Sequence, residues 1–416
     1  MVGASGAAAT AGLLTAQGRE LLDRLANENV TPDRALALSA SLRAEYPADL
    51  VAAALTQQAL RAAAREKFGR AGQMLFTRAG LEQASSELTA RHAAARFAGA
   101  RLIADLCCGI GGNLIALAAG DGVPAASAGD TEAGGAGSGQ RLVLGVDADL
   151  VSAEFARHNL GVSAPGARAA VVCADVTRLP LGGLDAAFID PARREGQRRL
   201  GPGRYRPALH WCLGLAATIP LVGIKAAPGI RRELVPAGWE AEFVAVGRDL
   251  KEALLWSPGL AAAGVASRAT ILPGGHTLTS ASAAGEAGER PPRRLAPPGA
   301  YLLDPSPAVT RAGLVTNLAD QLGAWQIDPM IAFLACDEPV RTPFARTLRV
   351  LESAPWHEKA FARRLRELGI GSADIRRRGL AGDVAAIHRR LGLAGPGAAT
   401  IVLTRVNDRP WGLICS

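Results

Sequence analysis

The sequence lacks the features that mark membrane proteins, disulfide-stabilised proteins and zinc proteins. No apolar run approaches the roughly 20 residues of a membrane span, and the first residues do not show the basic flank and apolar segment of a signal peptide. The six cysteines are scattered, with no C-x-x-C pair and no cysteine–histidine pair at metal-ligand spacing. We therefore expect a cytoplasmic protein with reduced thiols, no bound metal and no membrane association.

Aromatic residues are scarce, at 4%, and the basic residues are almost all arginine. Hydrophobic residues make up 49% of the chain and charged residues 20%, which allows a sizeable core. With 416 residues, two or three domains are expected at about 150 residues each. The net charge of +8 suits an anionic partner such as nucleic acid. The bias towards arginine, alanine and glycine is also what a GC-rich genome produces, so basicity alone decides little.

The segment from Leu102 to Asn113 is typical of a short buried strand, a glycine-rich turn and a helix start, with Asn113 as the N-cap. Gly109 and Gly111 let the backbone approach a ligand, and the helix end offers free N–H groups. Asp105 lies inside the apolar strand, where a carboxylate must be paired with donors or with a ligand. The third position of a dinucleotide fingerprint holds a bulky leucine here, which disfavours a dinucleotide site. The alternative is a glycine-rich turn without a ligand.

Acidic residues also end the next strand-like runs. Asp147 follows one buried run, and Asp175 follows another. A carboxylate at the tip of the second strand suits a ribose, because it can accept from both hydroxyls. Asp190 and Pro191 end a continuous apolar run, which places them at the carboxyl edge of a parallel sheet. The alternative for the last pair is a simple strand-ending turn.

An arginine-rich loop follows Pro191, and it contains Arg193, Arg194 and Tyr205. Beside an acceptor site, such a loop is typical of a phosphate-binding lip. On charge alone, a solvated basic loop is an equally good interpretation. Before the glycine turn, Thr77, Glu82 and Gln83 form a polar group for which we expect turn and capping roles, with ligand contact as the alternative.

Four segments are predicted from the patterning. Residues 12–97 form an all-helical N-terminal module, and residues 98–275 form an α/β catalytic domain that ends in a reversed hairpin. A Gly/Ala/Ser/Pro-rich linker covers residues 276–299, and a small α/β domain covers 300–416. A low-complexity insertion at 120–140 interrupts the catalytic domain.

The motif from Asp105 to Gly112 resembles motif I of class I S-adenosylmethionine (SAM)-dependent methyltransferases, which implies a Rossmann-like sheet and SAM as cofactor. The resemblance implies that Asp105 lies near the methionine amine and Asp175 near the adenine amino group, with Gly109, Gly111 and Asp147 completing the cofactor site. Asp190-Pro191 resembles the Asp-Pro-Pro-aromatic motif of methyltransferases that act on amino groups of nucleobases, which implies a catalytic role for both residues.

The whole chain is similar to class I methyltransferases with a C-terminal THUMP-like domain, related to RNA guanine-N2 methyltransferases. The similarity rests on the two motifs above and on Phe76–Gln83 and Arg376–Gly379. Because THUMP domains bind RNA, it implies methylation of a base nitrogen in tRNA or rRNA. This chain has Ala192 and Arg193 where the family has proline and an aromatic residue, so Arg193 or Tyr205 is expected to support the base, with Arg194 nearby.

Two other functions remain open at this stage. The first is a small-molecule or protein methyltransferase in which the C-terminal domain serves assembly. The second is a SAM- and RNA-binding module without turnover. The sequence does not indicate an oligomeric state.

Overall fold

The computed structural model describes residues 10–26, 28, 32–120, 141–192, 194–195, 198–199, 205–280 and 294–416. Most of the predicted insertion and of the predicted linker lie outside these residues. By compactness the chain divides into two units, the first formed by Met1–Trp239 with Ala253–Ala262 and the second by Glu240–Glu252 with Ala263–Ser416. The domain bounds predicted from the sequence stay a prediction.

The N-terminal part of the first unit is helical, as expected. Its helices are α1 (Ala16–Ala26), α2 (Pro32–Leu42), α3 (Ala48–Ala64), α4 (Arg78–Gln83) and α5 (Glu87–Ala95). Leu21 and Leu25 of α1 are buried at helical spacing and share one apolar core with Val51 of α3. The same core includes Ile110 and Phe155, so the helices pack on the glycine turn and on the helix that contains Phe155.

The strands up to residue 279 are β1 (Leu102–Leu106), β2 (Leu142–Asp147), β3 (Ala169–Cys173), β4 (Ala186–Ile189), β5 (Arg194–Glu195), β6 (Arg198–Arg199), β7 (Leu221–Ala226), β8 (Glu240–Val246), β9 (Asp249–Trp256), β10 (Ser267–Leu272) and β11 (His276–Thr279). In the first unit, β7, β4, β1, β2 and β3 are neighbours in that order and run parallel. The end of β9, from Ala253 to Trp256, pairs antiparallel with β7. This is the predicted Rossmann-like arrangement, with a reversed strand beside β7.

Three helices accompany these strands, α6 (Gly112–Ala119), α7 (Leu150–Ser163) and α8 (Leu209–Gly214). The strands are near-continuous apolar runs because helices cover the sheet, and the four residues of β4 are all buried. Since the strands are parallel, the residues that follow β1, β2, β3 and β4 come to one edge of the sheet.

The second unit contains a mixed sheet and short helices. Its strands are β12 (Tyr301–Pro305), β13 (Trp325–Gln326), β14 (Leu334–Cys336), β15 (Ala345–Pro355), β16 (Ile370–Arg377), β17 (Gly397–Val406) and β18 (Arg409–Cys415), in the order β13-β14-β12-β15-β18-β17-β16. Its helices are α9 (Pro307–Ala312), α10 (Val315–Leu322), α11 (Glu358–Glu367) and α12 (Val384–Leu391). In this unit β8 and β10 run parallel, and β11 pairs antiparallel with β10. Residues 308–323, whose apolar pattern alone predicts one helix, form two helices, because Gly313 takes a left-handed conformation at φ 70° and ends α9.

Candidate active site

The glycine turn between β1 and α6 contains three residues in left-handed backbone. Cys107, Gly109 and Gly111 have φ angles of 61°, 55° and 91°, a region that glycine enters freely and cysteine rarely does. A Cβ atom added at Gly109 would meet no atom within 4 Å, so the turn borders open space there. The helix begins at Gly112 with Gly111 as N-cap, so the prediction of Asn113 as the N-cap was wrong.

Asp105 is fully buried in β1, and neither carboxylate oxygen has a hydrogen-bond partner among the described residues. Burial, reinforced by the charges of Asp190 and Asp147, raises the pKa of Asp105 well above its usual range, while Lys225 and the nearby backbone amide of Leu114 act in the opposite direction. The side-chain oxygen of Asn113 is also buried, and it too lacks a partner within the described ranges. Two such acceptors at one glycine turn fit a ligand that brings N–H donors and positive charge. The amine and the sulfonium of SAM meet this requirement.

Asp147 lies at the end of β2 and supports the turn from the neighbouring strand. One carboxylate oxygen accepts from the amide of Gly109 at 2.8 Å, and the other accepts from the amide of Asp149 at 2.9 Å. Burial raises the pKa of Asp147, and the two amide hydrogen bonds oppose that shift. The predicted cofactor residues Asp147 and Gly109 are therefore in direct contact.

Asp175 follows β3 and is exposed. One of its oxygens accepts from both the amide and the hydroxyl of Thr177, at 2.9 and 2.7 Å, and these bonds lower the pKa of Asp175. Asp175 is thus an ionised cap of a short 3-10 turn at Val176–Arg178. It lies after the strand next to β2, at the carboxyl edge predicted from the sequence.

Asp190 and Pro191 follow β4, directly beside β1. The amide of Asp190 donates to the carbonyl of Leu106 at 3.1 Å, which continues the pairing of β4 with β1. The Asp190 carboxylate binds the ammonium of Lys225 in β7 at 2.7 Å. The Lys225 side chain is 6% exposed and that of Asp190 is 23% exposed. Lys225 was not among the predicted site residues, because a lysine inside a strand gives no spacing signal.

The loop after Pro191 returns to the site through a pair of backbone hydrogen bonds between Ala192 and Arg206. Tyr205, one residue earlier, is 8% exposed, and its hydroxyl accepts from the amide of Ala227 at 3.0 Å. The ring is therefore enclosed at the base of the loop. Arg193 lies outside the described residues, as does the side chain of Arg194.

The segment Met74–Phe76 passes the glycine turn without belonging to a strand, and side chains supply its hydrogen bonds. Asn159 of α7 accepts from the amide of Leu75 and donates to the carbonyls of Leu75 and Ile110, at 2.7, 2.9 and 3.0 Å. Gln57 of α3 exchanges two hydrogen bonds with the backbone of Phe76, at 2.6 and 2.9 Å. The side chains of Gln57 and Asn159 were not predicted to support the site, because the sequences of α3 and α7 show only a helical pattern.

The expected capping role of Thr77 is confirmed, since its hydroxyl accepts from the amide of Gly80 at 2.9 Å. Gly80 lies so close to the turn that a Cβ atom there would come within 2.6 Å of the Ile110 side chain. The start of α4 is thus fixed against the glycine turn.

Among the residues that the structure describes, no group of three or more His, Cys, Asp or Glu side chains could hold a metal ion. No helix in the same ranges is long and apolar enough to cross a membrane. All six cysteines are free thiols.

Comparison with known proteins places these features in a family. Two curated proteins from strains of Mycobacterium tuberculosis, each described as an uncharacterised SAM-dependent methyltransferase, are 36% identical to this chain over 341 residues. Each match covers 80% of this chain and 85% of the relative. The THUMP domain-like family matches residues 345–416, and a domain of unknown function matches residues 6–64.

The fold also matches a solved structure. The crystal structure of a methyltransferase candidate from Porphyromonas gingivalis has a TM-score of 0.70 to this chain at 20% identity, covering 95% of this chain and 98% of that one. Because the sequence match extends along 85% of the curated relatives, the chain belongs to the SAM-dependent methyltransferases, uses SAM as its cofactor and has a C-terminal THUMP-like domain.

Proposed function

We propose that this enzyme methylates a base nitrogen of structured RNA, either tRNA or rRNA, in the cytoplasm. The carrying observation is the Asp190-Pro191 pair, which follows β4 beside β1 and its buried Asp105, in a chain with a THUMP-like domain. Methyl transfer to an amine needs an acceptor that orients the N–H group more than it needs a strong base.

Each cofactor residue is assigned a part of SAM according to its position along the sheet edge. SAM, when bound, supplies a methyl group on a positively charged sulfur. Asp105 would hold the methionine amine, since its two oxygens have no other donor in the described ranges. Asp147 would take the ribose hydroxyls and Asp175 the adenine amino group. Gly109 allows the backbone to approach the cofactor without a side chain, and Gly111 lets the same turn pack closely on α7, since a Cβ atom there would lie 3.4 Å from Ala156.

Asp190 is the residue for the acceptor amine. One of its oxygens is engaged by Lys225, and the other has no hydrogen bond within the described residues, so it can accept from an N–H group. The carbonyl of Pro191 is the adjacent backbone acceptor. Together they would hold the amine so that the nitrogen lone pair faces the methyl group, and the lost proton passes to Asp190 or to water. Arg193 and Arg194 are proposed to bind the substrate phosphates.

The second unit contains a group of arginines suited to RNA phosphates. Asp304 is nearly buried and binds Arg378 at 2.8 Å, with Arg248 at 3.7 Å. Arg376 binds Asp374 at 2.9 Å, and Arg346 lies 3.6 Å from the same carboxylate. Four guanidinium groups thus meet two carboxylates, which leaves positive charge on a partly exposed surface.

The test is nucleoside mass spectrometry of RNA from a strain that lacks the gene, followed by methyl transfer from labelled SAM to that RNA by the purified protein. We expect one methylated nucleoside to disappear in the deletion strain and to return in vitro. If the labelled methyl group appears only in protein or in small molecules, the substrate is not RNA but belongs to one of those classes. SAM binding without transfer would indicate a silent module.

The Asp190→Ala variant is the matched control in the same assay. It should bind SAM nearly as well as the wild type, because Asp190 is assigned to the acceptor, and its turnover should fall by about 100-fold or more. Full turnover in Asp190→Ala would rule out the proposed acceptor site.

A further inference from the structure

Lys225 is a buried ammonium at the centre of the proposed acceptor site. The chain has only four lysines among its 46 basic residues, and this one lies in β7, whose last five residues are buried. An ammonium group removed from water to this extent is costly unless it is both paired and hydrogen-bonded. Its contacts therefore determine what it does.

The contacts of the Lys225 ammonium include two oxygen acceptors. The Asp190 carboxylate lies 2.7 Å away, and the carbonyl of Gln83 lies 3.2 Å away. Gln83 is the last residue of α4, where the helix leaves carbonyls unpaired and its dipole favours a cation. Lys225 thus connects the end of an N-terminal helix to the residue that follows β4.

A second lysine fixes the same helix end. The ammonium of Lys67 donates to the carbonyls of Leu81 and Ala84 at 2.7 and 3.0 Å. The carbonyl that anchors Lys225 therefore belongs to a segment held from two sides. These contacts of Lys67 are with backbone carbonyls, whereas Lys225 also binds the Asp190 carboxylate, so Lys67 is the comparison for Lys225.

The charges around Asp190 explain why an anchored cation matters. The negative charge of Asp190 disfavours ionisation of Asp105 in the neighbouring strand β1 and of the Cys107 thiol in the turn, so both groups lie within electrostatic range of its carboxylate. The Lys225 ammonium acts on Asp105 in the opposite direction. A carboxylate with one oxygen fixed by Lys225 presents its second oxygen in one orientation, which is what an acceptor of an amine N–H requires.

We propose that Lys225 is a positioning residue for methyl transfer, which holds Asp190 in its working orientation and is itself aligned by the carbonyl of Gln83. This inference rests on the proposed function, because Asp190 is the assigned acceptor of the amine. It also gives the N-terminal helical segment a share in the acceptor site.

The experiment is a double-mutant cycle in the full-length protein, with labelled SAM at saturation and bulk RNA from the deletion strain as substrate. Initial rates are measured for the wild type, Lys225→Met, Asp190→Asn and the double variant. Affinity for SAM and melting temperature are recorded for each. Lys67→Met serves as the control for loosening α4, and Lys225→Gln replaces Lys225→Met in the cycle if the methionine variant does not fold.

We expect Lys225→Met to reduce kcat by about 100-fold in the wild-type background and by less than about threefold in the Asp190→Asn background, where there is no carboxylate left to position. Lys67→Met should lower the melting temperature and reduce kcat far less than Lys225→Met does, because it loosens the end of α4 but leaves the ammonium that binds Asp190 in place. Equal losses in both backgrounds, or no loss, would overturn the positioning role. Absence of RNA labelling by the wild type would instead overturn the proposed function, and this inference with it.

Discussion

Among single residues, Asp105 has the environment that most directly determines what the glycine turn can bind. It is fully buried, its oxygens have no partner in the described part of the chain, and burial raises its pKa. The pKa of Asp105 is higher in the folded protein than in the unfolded chain. In the absence of SAM, its contribution to the free energy of unfolding therefore favours the folded state at low pH, and this contribution is lost as the pH rises through the folded-state pKa. A bound ammonium reverses the balance, since it favours the ionised carboxylate.

Binding of SAM should therefore release a proton from Asp105 when the free protein holds it protonated. Calorimetry in buffers of different ionisation enthalpy should show this release, and it should shrink as the pH rises through the pKa of Asp105. In Asp105→Asn we expect no such release and a loss of about 10- to 100-fold in SAM affinity, the value of a charge-assisted hydrogen bond. In Asp105→Asn, the decrease in the free energy of unfolding with rising pH should also be smaller.

Asp175→Asn is the comparison for this experiment. Asp175 is already ionised, because its bonds to Thr177 lower its pKa, so its replacement should leave proton release unchanged. Proton release that persists in Asp105→Asn, or disappears in Asp175→Asn, would show that Asp105 is not the group that titrates.

At the level of elements, the segment Met74–Phe76 depends on amide side chains for the hydrogen bonds that a strand would provide. Gln57 is 3% exposed and makes two bonds to Phe76. Its neighbour Gln58 makes one long bond, of 3.4 Å, to Leu22. The two adjacent glutamines of α3 thus differ, because Gln57 holds the backbone of Phe76 by two short hydrogen bonds and Gln58 makes a long one to Leu22.

Gln57→Leu should lower the free energy of unfolding by about 2–4 kcal/mol, because it leaves a buried amide and a buried carbonyl of Phe76 unpaired. Gln58→Leu should cost less than about 1 kcal/mol. Urea denaturation of the two variants measures the difference. Similar values for both would mean that water replaces the Gln57 bonds.

The sequence predicted the strands that position the acids because buried parallel strands are short apolar runs with a visible end. The positions of Asp105 within its strand, of Asp147 at the end of the next, and of Asp175 and Asp190 after the following two were predicted from that pattern. The partners of these acids did not, because contacts such as that of Asp190 with Lys225 join strands through three-dimensional register. The division of α9 from α10 was missed because a glycine within a helical pattern can equally continue the helix.

For the whole molecule, the arginines of the second unit give a test of RNA binding. Reversal of Arg378 would place an acid beside the nearly buried Asp304, which it binds at 2.8 Å, and would disturb the fold. Arg248 and Arg377 are better choices, since Arg248 lies farther from Asp304 and Arg377 bonds only a backbone carbonyl among the described residues.

The double variant Arg248→Gln and Arg377→Gln should weaken binding to bulk RNA from the deletion strain and reduce the slope of log affinity against log salt by about 1–2. SAM affinity should not change. Arg24→Gln combined with Arg157→Gln, which removes two charges from exposed pairs with Glu45 and Glu154, controls for net charge. An unaltered salt slope in the double variant would favour an assembly role for the THUMP-like domain.

The hydrogen bonds of Leu75 and Phe76 also have a consequence for exchange with deuterated water. Their amide hydrogens are held by Asn159 and Gln57, so they can exchange only when α7 or α3 moves away from the segment. Although neither residue belongs to a helix or strand, both hydrogens should be as slow to exchange as those of the sheet. Their exchange rates would then measure the opening free energy of the helical module beside the cofactor turn.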